Sequence, residues 1–540
     1  MTASARGLAC ALYRWVRAHA PRSAGALCVA VALQLTVLGT ALASFGFSVK
    51  AVKGGALAAA SLVKPTGLET ANGGCSGAVG QTNVSATWTT SAEKPDANGN
   101  PMINGYKLWR STSSKGVYSE VGSTGIATSF TDVNPSGAET PQVFVGNGGL
   151  KTVHAINTST NAGTSITTGI IGIEPNDMAV TPEGTKVLVA EGASSQVQIV
   201  TVTSDKVAKT VLIPEVGGIK SRPDAVAITP SGKTAYVVDG ANNLVYPITI
   251  SSGEVGAAIV VGAQGDPGAI VVTPNEEDVY VANYSAHNVS VIAISSNTVT
   301  ATVSIGTGET GKPIALAVTP SSADVYVADQ GNGQVDDIAT SSNTVAHTIA
   351  VGSLVDANVA GGGDPNILAV TPEGSKLYAA SYTAGTVTDI ATSTGTVTKT
   401  IALPGTSPNP NALALMPNGC QLYVHDHANN QVDVVMVSSD AIAASPAVGT
   451  GGDPTGMSVT PDSSHVYVAN HNGNSVSVIA ASTNTVSATL AEGTVGKEPY
   501  AVLATPSVYY YKLQAGHGGW QSALSAAVLY ELGWDQGGWQ

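Results

Sequence analysis

The stretch VYVANYSAHNVSVIAISSNTVTATVSIG, Val279–Gly306, is followed far downstream by VYVANHNGNSVSVIAASTNTVSATLAEG, Val466–Gly493, nearly the same string again. Within each copy, apolar and polar residues alternate at period 2, the pattern of a β-strand with one face turned to a core. A chain that repeats such a stretch at fixed spacing is building one supersecondary unit several times over.

Working outward, an apolar element ending at a proline marks each unit. It reads PNDMAVTP (Pro175–Pro182), PDAVAITP (Pro223–Pro230), PGAIVVTP (Pro267–Pro274) and PIALAVTP (Pro313–Pro320). It continues as PNILAVTP (Pro365–Pro372), PNALALMP (Pro410–Pro417), PTGMSVTP (Pro454–Pro461) and PYAVLATP (Pro499–Pro506), with successive starts 44 to 52 residues apart. Each unit then adds three more short alternating segments separated by turn formers such as Ser285-Ala286-His287 and Ser295-Ser296-Asn297. Four strands in about 45 residues is the size of a propeller blade, whose two faces must be covered by neighbouring blades.

Seven complete units run from Pro175 to about Gly496. Three strands without a first, Gln142 to Gly169, precede them, and a first strand without followers, PYAVLATP, comes after. Joined, these two remnants make one more blade. The expectation is an all-β, eight-bladed propeller of four-stranded blades closed by strands from both ends of the module; seven blades is the alternative.

The VYVAN and VSVI strings, the NTV that follows and the glycine near the end of the fourth strand resemble the YVTN-type β-propeller repeats of surface-layer and related exported proteins. The resemblance covers about Pro141 to Pro506 and weakens at KLYAASY (Lys376–Tyr382) and QLYVHDH (Gln421–His427). It implies surface display and interaction more than catalysis.

Upstream of the repeats, the segments NVSATWTTS, MINGYKLWRSTSS and SFTDVNPSG resemble a fibronectin type III module, with Trp88 on its second strand and Tyr106 on its third. The missing later strand is expected at VYYYKLQAGHGGWQSALSAAV, Val508–Val528, with Tyr509 as the tyrosine corner of such sandwiches. The domain reading is therefore a signal or anchor at 1–49, a linker at 50–63, a first sandwich part at 64–138, the propeller at 139–506, a second sandwich part at 507–528 and a tail at 529–540.

Four of the six arginines (Arg6, Arg14, Arg17, Arg22) precede an apolar run, Ala24–Val49, that carries the small-residue site Ala41-Leu42-Ala43. This is an export signal, or an uncleaved anchor since the run is long enough to span a bilayer. Either places the remainder outside the cytoplasm, secreted or at the cell surface, with membrane contact only through that segment if it is retained. The chain carries a formal net charge of −14, which argues against nucleic acid as a partner. Cys10 and Cys28 belong to the leader, and Cys75 and Cys420 are expected to stay unpaired in different domains.

The propeller's top face receives the loops between blades and those between second and third strands. It is expected to carry Asp266, Asp364 and Asp453, each in a Gly-Asp-Pro triplet, together with Asn283, Asp329, Asn470, His287, His427 and His471. A ring of carboxylates, amides and imidazoles could bind sugar hydroxyls or a divalent cation, the one cofactor for which the sequence offers a case. Gly-Asp-Pro is equally good turn chemistry. The pair His425/His427 sits two apart on a strand, and so on one face, but no third metal ligand is visible by spacing.

Two function classes follow. The favoured one is a cell-surface binding or structural protein that presents the propeller to envelope polymer, glycan or another surface protein. The alternative is an extracellular lactonase-like or lyase-like propeller enzyme using a cation on the top face. Arg222, the only arginine of the propeller, is a thin basis for the latter, and no catalytic residue is assigned.

Overall fold

In the unit that begins at Pro267, the strands Pro267–Val272, Asp278–Asn283, Asn288–Ala293 and Thr298–Ser304 pair antiparallel in sequence order. The same four-stranded meander recurs in every unit, and eight such sheets make the propeller. The computed structural model describes residues 141–517 apart from 149–151, 168–174, 263–264, 309, 353, 355–366 and 450–453. It also describes strands at 66–72, 83–89, 105–111, 119–124, 129–133, 520–521 and 528–532. We number the blades 1 to 7 from the first strands that begin at Asp177, Pro223, Pro267, Pro313, Leu368, Pro410 and Pro454.

Blade 8 takes its first strand, Pro499–Ala504, from the end of the module and its other three, Gln142–Asn147, Thr152–Asn157 and Gly163–Thr167, from the beginning. The ring is thus closed by hydrogen bonds between segments more than 350 residues apart, such as Gln142 N–H to Thr505 Oγ1 at 2.9 Å.

The alternation suggested half-buried middle strands, and here the structure differs. In blade 3 the second strand is buried from Val279 to Asn283 on both faces, and the third from Val289 to Ile292. Each blade is sandwiched between two others, so no face of an inner strand meets water. Only the fourth strand, at the rim, is largely exposed. The core accordingly lies between blades: Tyr280 packs with Leu316, Val318, Val325 and Val327 of the next blade.

That packing explains why the two signature words of the repeat recur together. The tyrosine of the second strand points into the seam and donates to an Asn or Asp in the turn before the next blade's fourth strand. The pairs are Tyr236 to Asn297 (2.6 Å), Tyr280 to Asn343 (2.5 Å), Tyr378 to Asp440 (2.6 Å), Tyr423 to Asn484 (2.9 Å) and Tyr467 to Asn161 (3.1 Å). The acceptor residues all hold positive φ, a conformation Asn and Asp tolerate because their short side chains bond locally. Blades 1 and 8 carry Leu188 and Phe144 at the tyrosine position, which need no acceptor. Tyr326 is the exception: the facing turn holds Gly395, and its hydroxyl is buried without a partner.

Blade 2 is the irregular one. Its third strand contains Pro247, which lacks an N–H, and the fourth strand breaks into Glu254–Val255 and Ile259–Val260 around Gly256. Gly256 donates to the Pro247 carbonyl at 2.7 Å, and a Cβ there would come within 2.9 Å of the proline ring.

Outside the propeller, Gly105–Ser111 pairs antiparallel with Ser507–His517, in register from Gly105 opposite Gly516 to Ser111 opposite Tyr510. A strand from before the propeller and one from after it thus share one sheet. Val528–Leu532 also pairs with Ser507–Tyr511. Pairing on this side of the propeller thus extends through Leu532. The side chains of Trp88, Tyr106 and Tyr509 fall outside the described residues. Cys420, expected to be unpaired, is disulfide-bonded; its partner lies outside the described residues.

Candidate functional site

Eight connectors lead from the rim of one blade to the inner strand of the next, and the residue before each first strand is the last residue of its connector. Its backbone N–H must find an acceptor, and two solutions occur. In blades 2, 4 and 6 the acceptor is an aspartate ending the second strand: Arg222 donates to Asp239 (2.9 Å), Lys312 to Asp329 (2.7 Å) and Asn409 to Asp426 (3.0 Å). In blades 3 and 8 the connector residue is itself acidic and turns to positive φ. Asp266 then donates to Asn243 (2.9 Å) and Glu498 to Asn474 (2.8 Å), both in the preceding blade. There the second strand ends in asparagine, Asn283 or Asn147.

In blades 3 and 8 the carboxylate above is thus matched by an amide beneath, where a second carboxylate would repel it. A glycine of the connector lies on each of these amides. A Cβ on Gly262 (φ 40°) would come within 2.8 Å of Asn283, and one on Gly496 (φ 87°) within 2.6 Å of Asn147.

Asn283, Asp329 and Asn470 do lie at the top end of their second strands, but they are fully buried and serve their own blades. Asn283 donates to Asn288 (2.8 Å) and Ser290 (2.9 Å), Asn470 to Ser475 (3.1 Å) and Ser477 (3.0 Å), and Asp329 accepts from Asn332 (2.6 Å). Asp364 and Asp453 lie outside the described residues. Asp266 is exposed, and its Oδ1 lies 3.2 Å from Nη2 of Arg222.

The strand ends at Asp426, so His427 already belongs to the turn that follows it. His425 is buried beside Asn411, with which its Nδ1 is hydrogen-bonded. Burial, reinforced by His427, holds its pKa down at about 3. Among the described residues no three His, Cys, Asp or Glu side chains are grouped closely enough to hold a metal ion.

What the sequence reading missed is the position just after the second strand. In blades 3 to 7 it holds Tyr284, Gln330, Tyr382, His427 and His471, all half-buried; in blades 8, 1 and 2 it holds Gly148, Gly192 and Gly240. Its backbone N–H bonds to the carbonyl of the blade's last connector residue, as in Tyr284 to Asp266 (3.3 Å), Gln330 to Lys312 (2.9 Å) and His427 to Asn409 (3.1 Å). The top of the propeller therefore carries a crescent of two phenols, an amide and two imidazoles. At one end of it the Tyr284 hydroxyl donates to Gln330 at 3.3 Å, and the Lys312 ammonium lies 5.4 Å from the Tyr284 ring centre.

On the glycine arc a different group fills the space. A Cβ on Gly240 would come within 2.0 Å of Asp224 and one on Gly192 within 2.2 Å of Asn176, so both glycines make room for that network. Asp224, 1% exposed, takes the Arg222 Nε at 2.7 Å and accepts from Asn176 at 2.9 Å. Burial raises its pKa to about 6 even against the pull of Arg222. One turn of the inner ring deeper, Asp177 accepts the backbone N–H of Met178 (2.7 Å) and of Val226 (2.8 Å) and so ties the inner strands of blades 1 and 2. Complete burial pushes its pKa up to about 8.

The mouth thus has two unlike sides, an aromatic and imidazole crescent and an arginine–aspartate network. Such a surface can stack on sugar rings and bond their hydroxyls at once.

Comparison with known proteins bears on the fold. A family model described as lactonase, 7-bladed β-propeller, matches residues 387–500, which is 114 of 540 residues and runs from the third strand of blade 5 into blade 8. No curated protein matches the chain in sequence. Among solved structures, dihydro-heme d1 dehydrogenase NirN in complex with DHE is 12% identical, with a TM-score of 0.54 over 68% of this chain and 76% of that one. Hydrazine synthase of Kuenenia stuttgartiensis is 17% identical over 57% of this chain and 99% of that chain, with a TM-score of 0.42. The Cps50 (Swd1) propeller domain of Myceliophteria thermophila is 9% identical over 57% and 96%, with a TM-score of 0.45. At these identities the likeness is one of fold, and the fold is a β-propeller.

Proposed function

We propose that this chain is an exported, surface-associated binding protein of the YVTN type, whose propeller mouth takes envelope polymer or extracellular glycan. The observation that carries the reading is the crescent: five successive blades place Tyr284, Gln330, Tyr382, His427 and His471 at one register, with Asp266 of blade 3 and Arg222 of blade 2 beside its Tyr284 end. Rings and amides so placed offer stacking faces and hydrogen bonds without any single catalytic constellation. The disulfide at Cys420 suits an oxidising compartment, in keeping with the export signal read at the N-terminus. The sheet formed from both chain ends serves, in this reading, as the fibronectin-like carrier of the propeller.

The enzyme reading keeps one specific support, the lactonase family match over blades that include His427 and His471. Co-sedimentation of the purified full chain with cell-envelope material, beside turnover assays on lactones, separates the two. Saturable binding that falls about tenfold in Tyr382→Ala, with no lactone consumed, is the expected result. Lactone turnover abolished in His471→Ala, without polymer binding, would replace the reading with the enzymatic one.

A further inference from the structure

Two neighbouring seams of the propeller solve the same corner differently, at the end opposite the mouth. In blade 5, Tyr378 of the second strand stands directly opposite Asp389 of the third, and Lys376 lies two residues before the tyrosine. The Lys376 ammonium joins this corner to blade 6. It donates to Asp389 (2.9 Å), to Asp440 (2.9 Å) and to the Val437 carbonyl (3.1 Å), and it lies 3.4 Å from the Tyr378 oxygen. One cation thus sits among carboxylates, a phenol and a peptide carbonyl.

Blade 4 repeats the corner without the lysine. Tyr326 stands directly opposite Asp337, but Asp324 takes the place of Lys376 and Gly395 of blade 5 that of Asp440. Opposed residues share a face of the sheet, and Tyr326 packs in the core formed with Leu368 and Leu377 of blade 5, so the pair faces that seam. His347 covers Gly395, where a Cβ would lie 2.5 Å from the imidazole, and its Nδ1 holds Asp337 Oδ2 at 2.8 Å. The other oxygen, Asp337 Oδ1, and the Tyr326 hydroxyl have no partner within the chain, on residues only 2% and 0% exposed. Burial raises the pKa of Asp337 against the pull of His347, and burial together with Asp337 raises that of Asp324. Where blade 5 sets an ammonium among its acids, blade 4 sets a second acid.

We infer that the seam between blades 4 and 5 takes a calcium ion from solution, at the corner where blade 5 carries the Lys376 ammonium. The groups on offer are oxygens: Asp337 Oδ1, the Tyr326 phenol and, at the rim, the Asp324 carboxylate. A hard cation suits such a set, and calcium accepts an irregular shell completed by water where magnesium demands an octahedron. With two carboxylates rather than three, the site belongs to the weak class, with a Kd of about 10⁻⁴–10⁻³ M. Its work is structural, the neutralisation of acids that the seam buries, and it is independent of what the mouth binds.

The test is calorimetric titration of the chelator-treated full chain with calcium chloride, with thermal melts in the presence and absence of millimolar calcium. Wild type is expected to show saturable uptake and a midpoint raised by about 2 °C or more. Asp337→Val copies Val291, Val434 and Val478, which stand opposite the tyrosine in blades 3, 6 and 7. Asp324→Lys copies Lys376 and supplies the cation from within the chain. Both variants use residues that the repeat already accommodates, and both are expected to lose this uptake and the rise in midpoint. Asp324→Lys is expected, besides, to melt above calcium-free wild type. No calcium uptake by wild type, or uptake and a midpoint gain that persist unchanged in either folded variant, overturns the inference and leaves the reading of the mouth untouched.

Discussion

Asp177 and Asn283 show how a single residue answers to its corner of the ring. Asp177 replaces the alanine or other uncharged residue that the remaining blades carry at that place, and its only partners are backbone N–H groups. Its folded pKa, about 8, stands above the ordinary value of 3.8, so the native state binds more protons than the unfolded chain between those pH values. Stability from this site is therefore lost as pH rises through that window. Urea midpoints measured from pH 4 to pH 9 are expected to fall less steeply for Asp177→Asn than for wild type. Asn283 presents the converse case. Asn283→Asp puts a carboxylate under Asp266 and removes a donor to Ser290, at an expected cost of about 1–3 kcal/mol. Asp266→Asn in the same chain is expected to restore part of it, which a double-mutant cycle by urea unfolding would measure.

At the scale of the blade, the seam is the stabilising element. A tyrosine hydroxyl bonded across it contributes about 1 kcal/mol net, so Tyr280→Phe is expected to destabilise by about that amount. Tyr326→Phe removes a hydroxyl that is buried and unpartnered, and is expected to be neutral or stabilising in the same melt. The strands and their number were legible because alternation, turn formers and the marker proline all recur at one spacing. The seam was not, because its partners stand 61 to 63 residues apart, or 306 across the ring closure, and each word of the repeat is intelligible alone. The burial of Asn283, Asp329 and Asn470 was hidden for a related reason. A polar residue at a strand end looks solvent-facing until the connector that covers it is placed. The crescent escaped notice because its members differ chemically from blade to blade, although their position after the second strand is constant. His427 and His471 were found by residue type; Tyr284, Gln330 and Tyr382 required the register.

At the scale of the molecule, the ring is closed by strands from the two ends of the propeller, and the flanking segments pair in a sheet of their own. Both flanks leave blade 8 from the end opposite the crescent, since Gln142 starts a second strand and Ala504 ends a first. The most direct test of the account is amide hydrogen exchange of the full chain with and without saturating envelope polymer. Protection concentrated in the turns after the second strands of blades 3 to 7, around Tyr284, Gln330, Tyr382, His427 and His471, is the predicted result. Protection confined to the exposed fourth strands or to the turns at the opposite face, with the crescent unchanged, would contradict it.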